Sequence, residues 1–462
     1  MDRISGGWKK YALVQPPMMM LLFAQAMTGT ILTDLIVYRT CRVTLAINKT
    51  ECLVLHQNSS SEMAFSIEAE AQPRVSIILM VKSLIESMLP AFLSLFLGPW
   101  SDKYGRKPLL VSGYAGFTIM FIIFSFLCNW DIDPWFLLLA YVPPAFCGGF
   151  CALILATYCY ISDITTDVDR AWQLAWLEAS ISIGLLLGIF LGPLVYDKFG
   201  YSVVFIVATA CCITATLYVL FYVPEPVRNQ STASWGSLFN ISLVQEMVRS
   251  CIKRRNGFDR TIVWCCIIAL ALSILVLEGE STIGFLFARE RLGWDIMQFS
   301  NYLGTNVIMG IFGTILGVKL LGDYVGVSNT ALSVLAYLSN FISACIKSFT
   351  WLPWHMYLSV GLGMFGGVHR PLLRAIISKS APTQDIGKVF SLTTSVETIT
   401  PLGAAPLYTL IYSSFMPPLY PSPIWLVSAG FYIIMILIII KVEQQLAKFS
   451  SDRYEPLIQE NE

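Results

Sequence analysis

Residues 98–108 read Gly98-Pro99-Trp100-Ser101-Asp102-Lys103-Tyr104-Gly105-Arg106-Lys107-Pro108, a short polar loop between two long apolar stretches. Its chemistry is local. Asp102 sits where a carboxylate can cap the following helix and pair with an arginine, Gly105 supplies a tight turn, and Arg106 and Lys107 put positive charge at a membrane face. A plain basic turn between two spans would look the same in isolation, so the surroundings must decide.

The surroundings are those of an integral membrane protein. Of the 462 residues, 56% are hydrophobic and 13% charged, a balance that excludes an ordinary soluble domain. The 30 basic and 30 acidic side chains cancel, so no bulk field points to nucleic acid. Nine of the 12 cysteines, Cys147, Cys159 and Cys345 among them, lie in apolar runs, and none forms a CxxC pair. No metal or other cofactor is therefore expected. HExxH and GxSxG patterns are missing too, which argues against an enzyme.

Twelve segments are long enough to cross a hydrocarbon core of roughly 30 Å as helices, so the fold class is an all-α multi-pass membrane protein. They lie near 17–38, 75–99, 108–128, 135–162, 171–196, 202–223, 261–287, 299–321, 328–349, 353–378, 388–413 and 423–441. The basic start, with Arg3, Lys9 and Lys10, leads into a segment too long for a signal peptide and without a cleavage site, hence an uncleaved first helix. Lys and Arg gather before the first span, at 103–107, in 224–260 and after Ile440, which puts both termini in the cytosol.

The loop 39–74 carries the acceptor patterns Asn48-Lys49-Thr50 and Asn58-Ser59-Ser60, which fit a glycosylated face outside the cytosol. Cys41 and Cys52 in that region either pair with each other or stay free. The expected organisation is a cytosolic segment 1–16, a six-helix bundle 17–223, a central cytosolic loop 224–260, a second six-helix bundle 261–441 and a cytosolic tail 442–462. Asp323-Tyr324-Val325-Gly326 after the eighth span echoes Asp102-Lys103-Tyr104-Gly105 after the second, the trace of an internal repeat.

A charge inside a span costs at least ~2.5 kcal/mol at the bilayer centre, so the charged residues of the spans are the candidate site. Lys82 and Glu86 in span two are spaced for a local ion pair. Glu178 in span five lies roughly 10 Å into its helix with no basic neighbour at helical spacing. It suits proton loading and release, or a hydrogen bond that only packs helices. Glu278 and Glu280 in span seven fit either proton coupling or an outer rim. His369, Arg370 and Arg374 in span ten follow the glycine-rich run 361–367 and flank Pro371, expected to kink the span, and Glu397 lies in span eleven. A cation there suits an anionic substrate group, or snorkels to the interface.

The 98–108 motif, set between spans two and three of twelve, resembles the cytosolic signature loop of the major facilitator superfamily. Leu177-Glu178-Ala179-Ser180-Ile181, the run from Leu373 through Arg374 to Lys379 with Gly387 and Phe390, and Leu292-Gly293-Trp294-Asp295 resemble the proton-coupled folate transporter family within it. The resemblance implies two pseudo-symmetric bundles and secondary transport of a small organic anion: a folate, a muropeptide or a lysosomal breakdown product. It implies proton coupling at Glu178, coupling or substrate binding at Arg374, and a conformational motif of Gly98, Asp102, Gly105, Arg106 and Asp163. The chain departs from that family in having no histidine in span seven and in placing Gly293 where the family's second disulfide cysteine falls.

Gly184, Gly188, Gly192 and Pro193 resemble an antiporter signature, although close helix packing explains such a stripe equally well. A transporter-shaped sensor is the remaining alternative, and the basic patch of 224–260 would suit anionic membrane lipid. In the tail, Tyr454-Glu455-Pro456-Leu457 fits the tyrosine-based pattern read by sorting adaptor complexes. An endolysosomal membrane and the plasma membrane are both open on this reading.

Overall fold

The computed structural model describes residues 13–52, 62–165, 167–226, 260–380, 386–415, 420 and 422–459. These residues are helical almost throughout, as apolar runs must be where water cannot satisfy the backbone. The helices are α1 Gln15–Arg39, α2 Lys49–Cys52, α3 Glu62–Tyr104, α4 Arg106–Leu127, α5 Val142–Phe146, α6 Gly149–Ile164, α7 Asp167–Tyr222 and α8 Arg260–Leu292. They continue with α9 Ile296–Ile315, α10 Asn329–Ser348, α11 Pro353–Leu362, α12 His369–Ser380, α13 Ile386–Ile399, α14 Pro401–Ser414 and α15 Pro423–Gln459.

Nine helical stretches among the described residues are long and apolar enough to cross a membrane. The expected fifth and sixth spans both fall in α7, which is interrupted between them at Gly200 (φ 74°, ψ −173°). The expected tenth span is divided into α11, a 3-10 turn Met364–Val368 and α12, and the eleventh divides between α13 and α14 at Pro401. The break in the tenth span falls in the glycine-rich run rather than at Pro371, which sits in the first turn of α12 where its missing N–H costs nothing. A Cβ on Gly366 would collide with Asn340, and one on Gly313 with the Met364 backbone, so glycine is what lets α9, α10 and this turn come together.

Two compact units result, Met1–Asn240 with Thr282–Gly304 and Ile241–Ser281 with Thr305–Glu462. In the first, α1 lies along α7, and the glycine stripe faces it. A Cβ on Gly184, Gly188 or Gly192 would stand 2.5, 2.5 or 2.6 Å from the backbone oxygens of Met19, Phe23 and Met27. Backbone contact of this kind is how small residues hold helices together where lipid removes the hydrophobic drive. Hydroxyl pairs Thr118 to Thr216 and Ser125 to Thr209, each 2.9 Å, tie α4 to α7.

The second unit has a core of Ile262, Cys266, Leu270, Tyr337, Leu373, Ile377, Met435 and Ile439. Phe92, Phe126, Phe221, Phe312 and Leu437 are exposed, as lipid-facing side chains should be.

Candidate functional site

The 98–108 stretch is not the loop expected from its polarity. Helix α3 runs through it to Tyr104, and only Gly105, at φ 116° and ψ 149°, leaves the helical region before α4 begins at Arg106. One residue in a conformation open to glycine is enough to reverse the chain. The backbone N–H groups of Arg106 and Lys107 donate to the two carboxylate oxygens of Glu225 at 2.8 and 2.9 Å. That carboxylate on the first turn of α4 comes from just past the end of α7, and the side chain of Asp102, the cap expected from sequence, lies outside the described residues.

The Arg106 guanidinium donates from Nε to Asp163 at 2.9 Å and from a terminal nitrogen to Ser101 Oγ at 2.6 Å. Tyr160 donates to the Pro224 carbonyl at 2.9 Å and holds the approach to Glu225. Arg106 is buried and Asp163 a third exposed, so this is a cation clamped among three helices at one end of the first unit.

In the second unit the fold brings two predicted residues together. Arg374 donates to Glu397 at 2.8 Å, with the arginine half exposed and the glutamate largely covered. His369 is buried instead: its Nδ1 donates to the Gly366 carbonyl at 2.6 Å and its ring lies 4.7 Å from that of Tyr337. Arg370 is partly buried beside it. Glu280 pairs with Lys347 at 2.8 Å, and Lys347 stands 4.8 Å over the Trp425 ring. Glu278 is partly buried two residues earlier. Gly279 between them is covered by the Tyr408 ring, into which any Cβ would run.

Lys82 and Glu86 pair at 3.5 Å as their spacing required. Lys82 also lies 5.3 Å from the centre of the Tyr141 ring. The pair sits near the middle of α3 rather than near its end, because that helix starts at Glu62.

Sequence reasoning missed the most deeply buried ionic cluster. Arg289, near the end of α8, donates to both Asp34 of α1 and Glu68 of α3, and all three side chains are essentially excluded from solvent. Tyr201 of α7 donates to Asp34. Beside the cluster a cleft of about 330 Å³ is lined by Asp34, Tyr196, Asp197, Arg289, Trp294 and Asp295, with Pro193, Ile296 and Met297. Asp34 lies within the expected first span, and a lone carboxylate in that apolar run was the available signal. Glu68 and Arg289 fell just outside the span limits drawn from hydropathy.

Asn48 is exposed, and Cys41 and Cys52 are joined in a disulfide with their Cα atoms 6.0 Å apart, which decides between the two alternatives left by sequence. The side chains of Glu178, Asp102, Tyr454 and Leu457, the burial of Gly98 and the whole of Asn58 lie outside the described residues.

Known proteins resemble this chain in sequence or in fold. Over 413 residues the chain is 26% identical to the probable peptidoglycan muropeptide transporter SLC46 of Drosophila melanogaster, covering 87% of this chain and 80% of that one. It is 24% identical to the proton-coupled folate transporter of Rattus norvegicus over 427 residues, 92% and 91% of the two chains. The fold matches the human organic anion transporter MFSD10 (TM-score 0.65, 13% identity, 93% of this chain and 99% of the other). It also matches a D-xylose-proton symporter (TM-score 0.65, 14% identity, 94% and 97%). The family model of the Major Facilitator Superfamily spans residues 75–405, which include the Arg106 clamp and the Arg374 to Glu397 pair. The chain belongs to that superfamily and is a secondary active transporter rather than an enzyme.

Proposed function

We propose that this carrier moves a small organic anion together with protons by alternating access of two six-helix bundles, 17–223 and 261–441, with 224–260 as their cytosolic connection. The observation that carries the reading is the Arg374 to Glu397 pair, a half-exposed cation held by a covered carboxylate. An arriving substrate carboxylate competes with Glu397 for the guanidinium. Glu397, displaced from its cation, is the group this reading assigns to coupling, so that anion binding and proton uptake favour one another.

Glu178, Glu278 and Glu280 are the further proton sites in this scheme. Arg370 and His369 shape the substrate end. The names of the relatives, a muropeptide and a folate transporter, support a folate-like, muropeptide-like or related catabolite anion as cargo. Both termini face the cytosol, Asn48 and Asn58 are glycosylated on the opposite side, and Tyr454 and Leu457 engage an adaptor complex that sends the carrier to endolysosomes. Without that signal it stays at the plasma membrane.

The test is uptake of labelled folate, antifolate and muropeptide by cells displaying Tyr454→Ala, at about pH 5.5 and about pH 7.4. Acid-stimulated uptake of at least one member is expected. Arg374→Ala should lose it, and Glu178→Gln should lose accumulation while keeping substrate exchange. Acid-stimulated uptake that survives in both variants would sink the reading.

A further inference from the structure

We propose that Glu68 is a proton-binding site whose charge state locks and unlocks the end of α8 through Arg289. One guanidinium faces two carboxylates in a cluster closed to solvent, where Asp34 is 1%, Glu68 0% and Arg289 3% exposed. With both acids ionised the cluster carries one negative charge in excess, and burying an uncompensated charge is the costly case.

The two carboxylates are not equivalent. Asp34 accepts from Arg289 and from Tyr201, and Tyr196 lies against it, so its charge is spread over several donors. Glu68 gives one oxygen to Arg289, and its Oε2 is buried without a hydrogen-bond partner among the described residues. The charged groups facing Glu68 are Arg289 from α8 and Asp34 from α1. Gln72, one turn further along α3, donates to the Leu286 carbonyl at 3.2 Å. Asp197 and Asp295 line the cleft beside the cluster.

A proton entering the cluster therefore settles on Glu68 Oε2. It leaves a neutral acid and an Asp34 to Arg289 pair whose charges balance, and it removes one of the two ionic ties on the last turns of α8. Glu68 sits at one end of α3 and the Arg106 clamp just past the other, 36 residues or roughly 50 Å along the helix, so this proton site is separate from the clamp. Its use in transport rests on the proton-linked reading above, but the lock itself needs no substrate to be tested.

The experiment is hydrogen exchange of the full-length protein in lipid nanodiscs, comparing Glu68→Gln with wild type at one pH so that intrinsic exchange rates cancel. At about pH 7.4, Glu68→Gln should speed exchange of amides 285–297 about fivefold, since the amide imitates the protonated acid. At about pH 5.5 the ratio should fall to about one, because the wild type has then unlocked as well. Glu68→Asp, which keeps an ionisable group, should retain the wild-type pH response. A ratio raised equally at both pH values would mean a merely structural contact and overturn the proposal, as would no increase at the higher pH. Failure of the uptake panel would leave these ratios untouched, so the two readings fall separately.

Discussion

The helix start at Gly105 and Arg106 and its counterpart at Gly326 and Asn329 use the same plan with different strength. Both turn on a glycine with positive φ, 116° at Gly105 and 73° at Gly326. Both bring a distant acid to the first turn of the helix, Glu225 from just past the end of α7 and Glu443 from α15. Glu225 accepts two backbone N–H groups at 2.8 and 2.9 Å, whereas Glu443, among the described residues, accepts the Thr330 hydroxyl at 3.4 Å. The second start is capped locally by Ser328, which takes the Ala331 N–H at 3.2 Å. The first adds Arg106 bound to Asp163 and Ser101. Each turn uses a glycine at positive φ, but the charge is concentrated at one of them, so the first turn is a latch and the second a plain connection.

Removing the latch should have the largest effect. Arg106→Ala leaves Asp163 and Ser101 without their cation and should cost about 2 kcal/mol of stability in detergent, discounted for the partial exposure of Asp163. Transport should fall at least about tenfold. Thermal melts and initial uptake rates check the two parts.

The glycines sharpen the comparison next. Gly105→Ala forces an L-residue into a region nearly reserved for glycine and should cost about 2 kcal/mol, while Gly326→Ala should cost about 1 kcal/mol. Equal losses in paired melts would erase the distinction drawn here.

Glu225→Gln should cost about 1 kcal/mol by removing a charged acceptor from the start of α4. The matching Glu443→Gln should be nearly silent in the same assay. Thr330→Val should change stability by less than about 0.5 kcal/mol, because a 3.4 Å contact at the edge of hydrogen bonding contributes little. A loss there as large as that of Glu225→Gln would make the two turns equivalent after all.

Long apolar runs and the 98–108 motif made the architecture legible, since a backbone in lipid has few choices. Local spacing also carried the Lys82 to Glu86 pair. Partners supplied from far along the chain were hidden. Glu225 lies 119 positions from Arg106, and Arg289 lies 255 from Asp34, so neither contact leaves a periodic trace. Hydropathy limits added to this by cutting the spans short of Glu68 and Arg289, because burial in a protein cluster, unlike burial in lipid, does not require an apolar residue. The glycine stripe of α7 was readable only as two alternatives, and its contact with α1 accounts for it by packing.

That stripe also governs where the molecule can be soft. Between α1 and α7 the contact is backbone against backbone at Gly184, Gly188 and Gly192, and no side chain stands between them to change rotamer and absorb a shift. The pair behaves as a single strut, and whatever strain a working cycle imposes must be taken up elsewhere along the chain. The interruption at Gly200 and the turn at Met364–Val368 are compliant joints of that kind, so wear in this machine, by mutation or by oxidation, should show first at its joints and last at its beam.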